Sequence, residues 1–164
     1  MKALIRTRLK PNTSKFGSIL NAFGIVGNAK VFGDGHINTT YSVDGKHFFN
    51  WSSSGFEFTF KGSGVRAEIA SNAPGGTNTA YIKIFVDGVE QPDVALTKAS
   101  QTVTLAEGLD PNSTHTVRVV KRSNARSSTA ALVSLKLNDG EKLAPPAEKA
   151  RLIEFVGDSI TVGY

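Results

Sequence analysis

The sequence predicts an all-β protein: an antiparallel β-sandwich of jelly-roll type, followed by the first strand of a truncated α/β domain. Three observations lead there. From about residue 30 the apolar residues recur with period two rather than 3.6, as they do in half-buried strands. The alternating runs are short and near-regularly spaced, are divided by turn-forming residues, and show no convincing amphipathic helix between them. After Pro145-Pro146 the pattern changes to an apolar run, Leu152-Ile153-Glu154-Phe155-Val156, of the kind that forms a strand covered on both faces.

Residues 1–28 form a basic, acid-free segment. Lys2, Arg6, Arg8, Lys10, Lys15 and Lys30 give the first 33 residues a charge of +6, while the remainder of the chain sums to −1. The total of +5 is therefore a property of the N-terminal segment and not of the body. This segment is open to three readings: an ordinary strand and loop, a weak likeness to an organellar transit peptide, or the remnant of a sequence whose upstream signal is missing. Arg6, Arg8 and Lys10 interrupt any apolar stretch, so it is no secretory signal.

The sandwich domain is placed at residues 29–143. Phe56, Phe58 and Phe60 alternate with Glu57, Thr59 and Lys61, which puts three phenyl rings on one face. Gly62-Ser63-Gly64 turns the chain into a second alternating run over 65–69. A loop at Ala73-Pro74-Gly75-Gly76 leads to a strand over 81–86. That strand ends in Asp87-Gly88, favoured in tight hairpins, with a return strand from Val89. Further strands are expected at 101–105, 115–120 and 130–137, with turns over 108–112 and 123–128. Lys121, Arg122 and Arg126 then fall in a solvated loop. Residues 144–150 read as a linker stiffened by its proline pair, and 151–164 as the first strand and nucleophile block of the next domain.

Composition narrows the function classes. Ten Phe, three Tyr and one Trp supply core material, and the absence of Cys excludes a disulfide framework or thiolate metal site. A near-neutral body argues against nucleic acid as partner, and no window approaches the ~18 apolar residues of a membrane helix. His36, His47 and His115 lack metal-ligand spacing, so no metal is expected, and no cofactor motif is present.

The chemistry concentrates at Gly157-Asp158-Ser159. Gly157 lets the chain turn sharply after a strand, and Ser159 then stands at the start of a helix. There its N–H points toward any developing oxyanion, aided by the helix dipole. The serine needs a neighbouring base to become a nucleophile. The three histidines all precede it and belong to the sandwich. The spacing differs from a Gly-x-Ser-x-Gly elbow, because Thr161 occupies the second glycine position. The same residues also suit a plain capped turn, with Asp158 or Ser159 as the cap. Trp51 has two readings as well: an exposed ring stacking on a sugar, or a ring packed in the core or against a second domain.

The block Ile153-Glu154-Phe155-Val156-Gly157-Asp158-Ser159-Ile160-Thr161-Val162-Gly163-Tyr164 resembles the first block of SGNH (GDSL-type) hydrolases, in the version found in carbohydrate esterase family 2. In that family a jelly-roll domain precedes the SGNH domain. Further matches are Asn50-Trp51-Ser52-Ser53-Ser54-Gly55-Phe56-Glu57-Phe58, Phe85-Val86-Asp87-Gly88, Leu105-Ala106-Glu107-Gly108-Leu109, and His115-Thr116-Val117 leading to Lys121-Arg122. The resemblance implies an esterase that removes O-acetyl groups from plant polysaccharides of xylan or glucomannan type. Ser159 matches the nucleophile and one oxyanion amide, with Gly157 and Asp158 in support. The family's remaining oxyanion donors and catalytic histidine would lie beyond Tyr164, so the chain as given is expected to be an inactive fragment. The implied partner is an acetylated polysaccharide or oligosaccharide. The implied location is secreted or periplasmic if the N-terminus is incomplete. The alternative is a non-catalytic carbohydrate-binding sandwich, with Trp51 as its contact.

Overall fold

The computed structural model describes residues 30–32, 40–72, 74–124, 128–138 and 141–146. Twelve strands among them form two sheets, and every pairing is antiparallel. They are β1 (Lys30–Phe32), β2 (Thr40–Val43), β3 (Lys46–Phe49), β4 (Gly55–Lys61), β5 (Val65–Ser71), β6 (Ala80–Val86), β7 (Val89–Glu90), β8 (Val94–Leu96), β9 (Ser100–Ala106), β10 (Thr114–Lys121), β11 (Ala130–Leu137) and β12 (Glu141–Ala144). One sheet has the order β1-β4-β10-β6-β7, with β12 also on β4 and β8 also on β6. The other runs β2-β3-β11-β5-β9. The chain stays within one sheet only at β2–β3, β6–β7 and β7–β8 and crosses to the other at every other connection, as in a jelly-roll sandwich.

Period-two alternation builds the core. Phe56, Phe58 and Phe60 on β4 lie opposite Val119, Val117 and His115 on β10, and all six side chains are buried. Phenyl rings continue in a row from Phe49 to Phe56 (5.6 Å), Phe58 (6.3 Å) and Phe60 (6.0 Å), ending on the His115 imidazole (5.8 Å). The facing sheet contributes Val65, Ala67, Ile69, Leu132 and Leu135. Leu132 and Leu135 are three apart and could not share a face in a regular strand. A bulge between Leu132 and Ser134 inserts the extra residue that turns both inward.

Two hairpins use the same chemistry. Asp44 and Gly45 (φ 50° and 73°) join β2 to β3, and Asp87 and Gly88 (φ 51° and 82°) join β6 to β7. Positive φ at both central residues defines the turn whose twist suits adjacent strands. The return strand expected from Val89 is split into β7 and β8 around Pro92, which has no N–H to donate to a ladder. Lys83 holds the interruption in place, with its ammonium 2.6 Å from both Glu90 and Asp93 and donating to the Gln91 carbonyl at 3.1 Å. The sequence reading also lacked β1, β2, β3 and β12. They are three to five residues shorter than the strands it recognised in full, and β12 opens on Glu-Lys. Leu143 of β12 is part of the core, and pairing with β4 extends through Ala144 to the edge of Pro145.

Candidate functional site

Gly157, Asp158 and Ser159 lie outside the described residues, as do the basic segment at 1–28 and His36. Among the described residues the groups with chemical character gather at the two ends of the sandwich, both anchored on β10.

At one end β10 begins with His115. Its Nδ1 is 2.7 Å from Asp87 Oδ2 and its Nε2 is 2.9 Å from the Asp110 carbonyl oxygen. Both partners are acceptors, so the arrangement favours the ring with both nitrogens protonated, the imidazolium. The Asp87 hydrogen bond, then the Asp110 carbonyl, raise its pKa above the usual histidine value against the opposing effect of burial. Partial burial works to raise the Asp87 carboxyl. The Thr116 N–H, donating at 2.7 Å, and His115 together outweigh it and hold the group low. With both nitrogens committed, His115 is a structural tie between the β6–β7 turn and the loop before β10. His47 is also buried, which lowers its pKa. Among the described residues no three His, Asp or Glu side chains converge as metal ligands.

At the other end β10 finishes at Lys121, which corrects the sequence reading. That reading placed Lys121 in a solvated loop, yet its side chain is 1% exposed. The signal was present in the alternation: positions 115, 117, 119 and 121 share the inward face of one strand. The ammonium donates to the carbonyls of Ser123 (2.7 Å) and Asn124 (3.2 Å), and burial pulls its pKa down to about 8. Lys121 therefore fixes the turn that follows it.

That turn lies between two other segments. On one side, residues 51–54 run beside it: Ser53 N–H donates to Lys121 O (2.8 Å), Lys121 N–H to Ser54 O (2.9 Å), and Ser52 Oγ to Ser123 O (3.2 Å). On the other side, Arg122 N–H donates to Tyr81 O (2.8 Å) and Tyr81 N–H to Ser123 Oγ (3.3 Å). Arg122 also pairs with Asp93. Two aromatic rings flank this turn in the open, Trp51 at 47% exposure and Tyr81 at 46%. Trp51 is not part of the core. Tyr81 escaped the sequence reading because a strand residue on an outer face looks like any other alternating position.

The fold and this end define the class, an all-antiparallel β-sandwich module with an aromatic-bearing loop end. The chain belongs to the carbohydrate esterase 2 N-terminal family, whose model matches residues 38–146. It is 34% identical over 114 residues to the cellulase/esterase CelE of Acetivibrio thermocellus, covering 70% of this chain and 13% of that protein. It is 26% identical over 116 residues to the acetylxylan esterase / glucomannan deacetylase of Cellvibrio japonicus, covering 71% and 30%. The chain thus spans less than a third of either relative. Among solved structures, a family two carbohydrate esterase from Clostridium thermocellum in complex with cellohexaose superposes with a TM-score of 0.64 at 22% identity, over 76% of this chain and 35% of that one. The carbohydrate-binding module CBM36 in complex with calcium and xylotriose gives 0.51 at 15% identity, over 68% and 94%. At these identities the two structures support the sandwich fold alone.

Proposed function

We propose that this sandwich is the N-terminal module of a carbohydrate esterase that removes O-acetyl groups from polysaccharides of xylan or glucomannan type, with Ser159 as nucleophile. The observation that carries the reading is the order of parts: a carbohydrate esterase 2 N-terminal domain over 38–146, then Gly157-Asp158-Ser159 behind an apolar run. Ser159 would attack the acetyl carbonyl, and its own N–H would help hold the oxyanion. A base must take its proton. His115 is unsuited to that role, since both its nitrogens are engaged within the sandwich. The test is acetate release from acetylated xylan and glucomannan by the longest polypeptide the gene encodes. Activity that disappears in Ser159→Ala is the expected result; activity unchanged by that substitution would overturn the assignment.

A second reading is a module that binds polysaccharide without cleaving it. It is favoured by the exposed Trp51 ring at the loop end. Retention on xylan, mannan or cellulose, lost in Trp51→Ala, distinguishes it from the first.

A further inference from the structure

We propose that Trp51, Tyr81 and the backbone of residues 122–124 form a preorganised surface on which two rings of a neutral polysaccharide chain stack. The proposal rests on the carbohydrate-binding reading above and supplies its site. Sugar rings present apolar C–H faces edged by hydroxyls, so they are recognised by exposed aromatic faces accompanied by a few fixed polar groups.

The geometry meets each requirement. The 51–54 segment and Tyr81 lie on opposite sides of the Arg122–Ser123 backbone, so the two aromatic-bearing segments are separated by two strand spacings, about 10 Å. That separation suits two ring positions along one extended chain. Neither segment needs to be ordered by the ligand. Ser54 N–H and Oγ both donate to Trp51 O (3.1 and 2.6 Å), and Tyr81 is bonded to the turn through both its N–H and its C=O. Preorganisation of this kind removes an entropic cost of binding. Arg122 supplies planar donors beside Tyr81, oriented by Asp93.

Two further features lie beside Trp51. Ser53 adopts φ 67°, a conformation that costs energy for any residue with a side chain. Asn50 Oδ1, one residue before Trp51, is buried and has no hydrogen-bond partner among the described residues. Strain and an unsatisfied acceptor flank the exposed tryptophan on either side.

Trp51 is the only tryptophan in the 164 residues, so its fluorescence reports this site alone. The experiment titrates the full chain with xylohexaose, cellohexaose and mannohexaose while following Trp51 emission, alongside retention on the parent polysaccharides. The expected result is a saturable emission change with at least one oligosaccharide. In Tyr81→Ala, affinity should then fall about fivefold to tenfold with unchanged thermal stability. Retention on polysaccharide without an emission change, or with affinity indifferent to Tyr81→Ala, would overturn the site and leave the binding reading standing. No retention and no emission change with any of the three would overturn both. Tyr81→Ala alters an exposed side chain outside the core, so the test does not depend on the folding of a Trp51 variant.

Discussion

Replacing His115 with leucine tests whether a charged imidazole ties the two loops at its end of the sandwich. The substitution keeps an apolar body of similar size against Phe60 while removing two hydrogen bonds. One of them joins two charged groups, worth about 1.5–3 kcal/mol, and the other reaches a backbone carbonyl, worth about 0.5–1.5 kcal/mol. Tighter apolar packing offsets part of the sum, leaving a net loss of about 2–3 kcal/mol near pH 6.

The pH dependence provides the sharper check. The folded-state pKa of His115 is raised above its ordinary 6.5, so its contribution is complete below 6.5 and fades as pH climbs through the raised value. Asp87 is lowered from 3.8, so its contribution is complete above 3.8 and fades as pH falls through the lowered value. The pair therefore stabilises most between about pH 4 and 6.5. Urea unfolding of both proteins from pH 4 to 9 should show a stability gap that is flat to about pH 6.5 and narrows above it. A gap that stays constant to pH 9, or widens with pH, would refute the doubly donating imidazolium.

Phe58→Ala should cost about 3–5 kcal/mol, because the ring is fully buried between Phe56 and Phe60 with nothing free to refill the space; urea unfolding measures it. Gly55→Ala should be as damaging despite adding one methyl, since a Cβ there would sit 1.8 Å from the Val119 carbonyl oxygen and force β4 away from β10. A midpoint within a few degrees of the parent would contradict that contact. The 164-residue polypeptide assayed alone should release acetate no faster than its Ser159→Ala form, because His115 has both ring nitrogens engaged within the sandwich and His47 is buried there. Clear turnover abolished by the substitution would show that a base is already present.

Strict alternation made most of the sandwich legible, along with its inward phenyl row and the Asp87-Gly88 hairpin. The short strands β1, β2, β3 and β12 were not legible, because three or four residues show too little of any period and their pairing is decided by neighbours distant in sequence. The Val133 bulge and the Pro92 interruption belong to the same class. Each is a local departure that only the partner strand explains. At the candidate site, Trp51 drew notice by its chemistry, whereas Tyr81 needed the sheet order to place it across the turn. Lys121 was misread because charge was weighed before phase. A residue at the end of an alternating strand inherits that strand's inward face even when it carries an ammonium.

The two buried cations of β10 sit in opposite environments. His115 and Lys121 share the inward face of one strand, and both are buried. One environment favours the charged form and raises its pKa; the other opposes it, lowering the ammonium to about 8. Among the described residues the Lys121 ammonium meets carbonyls and no carboxylate, and burying a cation in that way costs stability that a methionine of similar length would not. That cost falls at the end of the sandwich where Trp51 and Tyr81 are exposed. At the His115 end the polar groups complete one another and hold the sandwich together. At the Lys121 end the ammonium holds the carbonyls of Ser123 and Asn124, and with them the backbone that runs between the segments carrying Trp51 and Tyr81.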